Sequence, residues 1–148
     1  MPFYHAELRA AKPKPLCYPK EISTLGDHIR SRRLDLELFQ SDVAEQIGVD
    51  ATTICTWESN ASLPAIRYVP AILSFLGYDP FPPARTFADR LTSARKVLGL
   101  SQRKLALSLG VDPGTLQNWE AERHKPTGRS AERVEGFLET LGNPVPEI

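Results

Sequence analysis

Apolar residues recur along the chain at the spacing of one helical face, in two successive blocks. In the first, Leu25, Ile29, Arg33 and Leu36 stand at i, i+4, i+8 and i+11, the stripe of a helix with one side turned to a core. Residues 40–47 form a second predicted helix with Val43, Ala44 and Ile47 inward. Gly48 follows where a left-handed helix stop is wanted, a conformation that a Cβ resists. Asp50 has the chemistry of an N-cap for a third helix over 51–59, whose inner side is Ile54 and Trp57. A closing helix is expected between Pro64 and Gly77, restarted at Pro70 because an interior proline breaks the ladder, with Ile72, Leu73, Phe75 and Leu76 as its apolar side.

The second block follows the same plan. Phe87, Leu91, Arg95 and Leu98 mark its first helix, and Ser101 is placed to cap a helix over 102–109. Gly110 turns the chain, Asp112 caps, and Pro113 takes the first helical position, where its missing N–H costs nothing. A closing helix over 130–141 carries Val134, Phe137, Leu138 and Leu141 at i, i+3, i+4 and i+7. Gly48-Val49-Asp50 leading to Trp57-Glu58 is rewritten as Gly110-Val111-Asp112 leading to Trp119-Glu120. The two Trp-Glu pairs lie 62 residues apart, and Pro64 and Pro126 keep that offset. Such a period means one supersecondary unit used twice. The copies differ at one start signal: Phe39 stands where Ser101 caps.

An all-α architecture follows, with two tandem units of about five short helices each. The expected organisation is an extended arm over 1–21, a first domain over 22–78, a Pro-rich connector over 79–85, a second domain over 86–142 and a tail over 143–148. The arm holds Pro2, Pro13, Pro15 and Pro19 with no periodic apolar face, and Lys12-Pro13-Lys14-Pro15 favours polyproline II. Asp79-Pro80-Phe81-Pro82-Pro83 is stiff and should hold the units at a limited set of angles. A unit of roughly 55 residues buries only about 60% of its unfolded surface, so it needs well-packed helices and can lean on its neighbour.

A formal charge of zero averages over unlike parts. Residues 25–78 carry four cationic and seven anionic side chains, residues 87–142 nine and seven, and the arm through residue 24 four and two. Affinity for nucleic acid needs local clusters of cations rather than a basic total, so the asymmetry is informative. Cys17 and Cys55 suggest no disulfide framework and a reducing cytoplasm. No apolar run approaches the ~18 residues of a membrane span, and the first residues lack the pattern of a signal peptide.

The pattern Arg33…Gln40-x-x-Val43-Ala44-x-x-Ile47-Gly48-Val49-x-x-x-Thr53-Ile54-x-x-Trp57-Glu58…Pro64 resembles the phage-repressor and Cro type of helix-turn-helix, often called the Xre family. It recurs as Arg95…Gln102-x-x-Leu105-Ala106-x-x-Leu109-Gly110-Val111-x-x-x-Thr115-Leu116-x-x-Trp119-Glu120…Pro126. The small Ala44 and Ala106 let the third helix of each unit cross closely over the second. The resemblance implies structural ion pairs Arg33–Glu58 and Arg95–Glu120. It implies major-groove entry by two recognition helices, residues 51–59 and 113–121. The base-facing positions would be Ala51, Thr52, Cys55 and Thr56 in the first copy, and Pro113, Gly114, Gln117 and Asn118 in the second.

Gln and Asn can bond bidentately to adenine, and Thr can meet a thymine methyl, so the second copy has the richer reading chemistry. Gln40 and Gln102 resemble the family's phosphate-contacting Gln. Around them the second copy adds Arg103, Lys104, Arg123, His124, Lys125 and Arg129, where the first has Ser41, Asp42, Ala61, Ser62 and Leu63.

Other chemistry is sparse. Trp57 and Trp119 are in phase with Ile54 and Leu116, which favours a core role over base stacking. Cys55 has no resolving cysteine and no cationic sequence neighbour, the setting of an inert side chain. His5, His28 and His124 have no metal-ligand spacing with either Cys, and neither a metal nor a cofactor is expected. No nucleophile elbow or phosphate loop points to an enzyme. The arm either faces solvent or lies along a minor groove.

The expected function is sequence-specific binding of double-stranded DNA in transcription regulation, by a cytoplasmic, nucleoid-associated protein. The alternative is an antitoxin or mobile-element accessory protein, whose first domain makes a homodimer or binds a protein partner while the second binds DNA. An RNA-polymerase-associated helix-turn-helix is a third reading.

Overall fold

The computed structural model describes residues 18–142; the first 17 residues of the expected arm, with His5 and Cys17, and the tail over 143–148 lie outside them. Among the described residues the fold is all-α, with eight α-helices, one 3₁₀ turn and no strand. The helices are α1 (Leu25–Asp35), α2 (Gln40–Ile47), α3 (Ala51–Glu58), α4 (Val69–Leu76), α5 (Phe87–Val97), α6 (Gln102–Leu109), α7 (Pro113–Glu120) and α8 (Gly128–Gly142). The 3₁₀ turn, Ile66–Tyr68, precedes α4, and Pro70 sits in the first turn of α4, where its missing N–H breaks no bond. The first repeat thus has five helical elements and the second four: α8 runs 15 residues without interruption, since no proline stands inside it.

The helix starts follow local chemistry. Thr24 and Thr86 form capping boxes with Asp27 and Asp89, satisfying two orphan N–H groups at each start. Ser101 Oγ accepts from the Lys104 N–H at 3.2 Å. Phe39, at the matching place, has no cap to offer, and only Asp42 bonds back to its N–H, at 2.8 Å. Asp50 occupies the N-cap of α3 but makes no side-chain capping bond, whereas Asp112 accepts from the Gly114 N–H at 2.8 Å.

Two apolar clusters hold the helices together. Ile29, Val43, Ala44, Ile47, Ile54, Trp57, Ile72, Phe75 and Leu76 form one. Leu91, Leu105, Ala106, Leu109, Leu116, Trp119, Val134 and Leu138 form the other. Each large side chain in them contributes about 1.5–3 kcal/mol by leaving water. Both tryptophans are therefore core residues.

The ends of the predicted stripes depart from expectation. Leu36 and Leu98 are exposed because α1 and α5 stop one residue earlier, and Leu141 is exposed near the end of α8. The crossings also differ between repeats. Gly26 is buried so closely under α3 that a Cβ there would lie 1.9 Å from the Trp57 carbonyl oxygen. Ala88, at the matching place, fits with its Cβ buried.

The repeats meet where α4 packs on α5. Gly99, at φ 68°, lies so close to Pro70 that a Cβ would fall 2.9 Å from its ring carbons. Lys96 lies over the Phe81 ring of the connector, 5.2 Å from its centre. The connector is thus packed against the second repeat as well as stiff by composition.

Candidate nucleic-acid interface

Each repeat presents its third helix by the same device. Gly48 (φ 86°) and Gly110 (φ 69°) stop α2 and α6 in the left-handed conformation. Val49 and Val111 then donate their N–H groups back to the carbonyls of Ala44 at 2.9 Å and Ala106 at 3.0 Å. Ala44 and Ala106 are buried beneath the crossing, so α3 and α7 sit close over α2 and α6.

A buried ion pair fixes the far end of each third helix. The Arg33 Nε and Nη2 donate to Glu58 Oε1 and Oε2 at 2.6 and 2.8 Å, and its Nη1 donates to the Leu38 carbonyl at 3.1 Å. Arg95 repeats the fork on Glu120 at 2.7 and 3.3 Å and donates to the Leu100 carbonyl at 3.2 Å. The Glu58 and Glu120 side chains are only 3% and 7% exposed. Bidentate geometry of this kind gives orientation as well as energy.

Gln40 and Gln102 join the same networks. Their amide N–H groups donate to Glu58 at 2.9 Å and Glu120 at 2.5 Å. One N–H of each amide is therefore committed to the protein, and the other N–H is what either could offer a phosphate.

The outward surfaces of the two third helices differ. On α3, Ala51, Thr52 and Cys55 are exposed and Thr56 is half-buried. The Thr56 hydroxyl donates to the Thr53 carbonyl at 2.8 Å and accepts from Ser62 at 3.2 Å, so its one proton is used internally. On α7, Pro113, Gly114 and Gln117 are exposed and Asn118 is half-buried. Neither the Gln117 nor the Asn118 amide has a side-chain partner among the described residues.

Arg103, Lys104, Arg123, Lys125 and Arg129 are all exposed, and none is in an ion pair with a described residue. At the places of Ser101 and Lys125, the first repeat has Phe39 and Leu63, 76% and 77% exposed.

Two features of the first repeat escaped sequence reasoning. Asp27 is a buried acceptor: its carboxylate takes bonds from the Ser23 and Thr24 N–H groups, each at 3.1 Å, from the Ser23 hydroxyl and from the Asn60 amide at 3.0 Å. Burial raises its pKa, but these donors outweigh it and hold the carboxyl down at about 2. The capping spacing of Thr24 and Asp27 signalled half of this; Asn60 arrives from 33 residues away.

Arg30 is the other. It lines a cavity of about 220 Å³ with Arg33, Gln40, Cys55, Glu58 and Ser59. Its place one turn before Arg33 was the available signal. Nearby, burial lowers the His28 pKa against the opposing Asp27 charge, and its Nδ1 lies 2.8 Å from the Tyr78 hydroxyl.

No group of three His, Cys, Asp or Glu side chains able to hold a metal ion occurs among the described residues. No helix among them is long and apolar enough to cross a membrane.

Residues 88–147, which span α5 to α8, match the family described as helix-turn-helix domain. No curated protein and no solved structure matches the chain.

Proposed function

We propose that the chain is a sequence-specific double-stranded DNA-binding regulator of transcription, built from two tandem repressor-like helix-turn-helix units of the Xre type and acting in the cytoplasm at the nucleoid. α7 is the principal reader of base sequence. The carrying observation is that Gln117 and Asn118 stand on an outward helix with no side-chain partner among the described residues, whereas the Thr56 hydroxyl of α3 donates to the protein. An amide with both donor and acceptor free matches the paired acceptor and donor of adenine in the major groove. The match of residues 88–147 to the helix-turn-helix family supports this assignment to the second repeat.

The cations beside α7 supply the sequence-independent part. Arg103 and Lys104 at the start of α6, with Arg123 and Lys125 after α7, stand at the two ends of the helix-turn-helix. Phosphate contacts of this kind set register, and base contacts set specificity. Gln40 and Gln102 are held by Glu58 and Glu120 in a fixed orientation from which their remaining N–H can meet a phosphate.

Selection of binding sites from random duplex DNA, followed by affinity measurements, tests the proposal. Gln117→Ala and Asn118→Ala should each relax the selected sequence, a lost bidentate pair costing about 1–3 kcal/mol, while Thr52→Ala costs less. If neither α7 substitution changes the selected sequence or the affinity, the base-reading role of α7 is wrong.

A second reading has its own support. Phe39 and Leu63 present apolar surface where the second repeat has Ser101 and Lys125. An antitoxin or mobile-element accessory protein, using the first repeat for a homodimer or protein partner and the second for DNA, would carry such a surface.

A further inference from the structure

We infer that the cavity beside Arg30 in the first repeat is a phosphodiester-binding site, so that this repeat grips DNA backbone without reading sequence. The inference rests on the DNA-binding reading proposed above. It assigns the two repeats different work: the second specifies, the first holds.

The geometry begins at α1. Arg30 and Arg33 are one turn apart and therefore lie on neighbouring parts of the same face. Arg33 is spent on Glu58 and the Leu38 carbonyl, and Glu58 is neutralised by Arg33 while also accepting from Gln40. The cavity wall next to Arg30 thus carries no uncompensated negative charge.

Arg30 itself is half-buried and makes no hydrogen bond or ion pair with any described residue. A guanidinium presents five donors in a planar fork suited to phosphate. Holding it partly out of water with no partner is unfavourable, and an anion entering the cavity offsets that cost. The cavity's volume of about 220 Å³ is several times the share of one water, enough for the anionic oxygens of a phosphate with solvent.

The location selects the source of the phosphate. Cys55 on α3 and Ser59, the residue that follows that helix, line the cavity, and both are exposed. Cys55 stands at the place of Gln117, the exposed reader on α7, so the cavity opens on the side of the first repeat that corresponds to the base-reading side of the second. A backbone phosphate of a duplex lying along that side reaches it. The second repeat has Thr92 at the place of Arg30 and draws on its exposed cations instead.

Titrations of a selected duplex and a scrambled duplex across a salt series test the inference, with Arg123→Ala as the comparison in the second repeat. Arg30→Ala should reduce the slope of log K against log salt by about 0.9 and weaken binding about eightfold at 0.1 M salt. The loss should be equal on both duplexes, leaving their affinity ratio unchanged, and Arg30→Lys should retain the slope. On the wild-type protein, either duplex at saturation should slow modification of Cys55 by a maleimide, read peptide by peptide so that Cys17 is scored separately.

If Arg123→Ala lowers the slope while Arg30→Ala leaves it intact, the DNA reading stands and the first-repeat site is overturned. That site is equally overturned if Cys55 reacts as fast with duplex as without it, whatever the fold of the variants. If the protein binds neither duplex, both readings fall together.

Discussion

Asp27 shows how much one side chain can be asked to do. A carboxylate that is 7% exposed would ordinarily favour its neutral form, yet four donors converge on it. Because its folded pKa of about 2 lies below the ordinary 3.8, the unfolded chain binds the proton more readily. The stabilisation is therefore complete above about pH 4 and is lost as the pH falls towards 2. Urea unfolding of the wild type should show stability declining across that window. Asp27→Asn should be less stable at neutral pH and show a shallower acid dependence between pH 4 and 2. An unchanged acid dependence would mean that the convergence of donors is not what binds this carboxyl. The second repeat repeats only the local part of the arrangement. Asp89 accepts from Arg85 and Thr86, which lower its pKa, but Glu122 stands at the place of Asn60 and supplies no amide.

At the scale of elements, the helices and turns were largely legible. Gly48, Gly110, Asp112, Ser101 and Pro70 all act where their local chemistry placed them, because a cap or a turn is decided by neighbours in sequence. Phe39 marks the weak start of α2 in the structure as in the sequence. Phe39→Ser should therefore supply the missing bond to the Asp42 N–H and remove an exposed aromatic ring. A gain of about 1 kcal/mol in thermal or urea unfolding is expected, and Ser101→Ala should lose a similar amount. No gain from Phe39→Ser would show that the Asp42 bond alone already satisfies this helix start. The stripe ends were less legible. Leu36 and Leu98 continue the apolar period, but their helices have ended and both side chains are exposed.

At the scale of the whole molecule, the interface between repeats depends on Gly99. Its counterpart Glu37 takes the same left-handed conformation with a side chain, so conformation alone does not explain the glycine. Contact does: Pro70 leaves no room for a Cβ. Gly99→Ala should cost about 1–2 kcal/mol from backbone conformation, with a further loss from the clash. In a double-mutant cycle, Pro70→Ala should relieve only that further loss. Strict additivity of the two substitutions would show that the α4–α5 contact does not couple the repeats.

The sequence by itself determined the duplicated helical plan, the glycine turns, the inward tryptophans and the uneven distribution of charge. Periodicity and capping report inside, outside and chain direction, and these depend on residues a few positions apart. Tertiary structure decided which polar groups remain available. Thr56 is consumed by Thr53 and Ser62, Gln40 and Gln102 each give one N–H to a glutamate 18 residues on, and Arg30 is left beside an ion pair that spans 25 residues. The family resemblance marked Thr56, Gln40 and Gln102 as facing DNA, and it left Arg30 unmarked. Only the packing of α1, α2 and α3, and of α6 on α7, shows which already have partners, because hydrogen bonding is settled by groups that the fold brings together from distant parts of the chain.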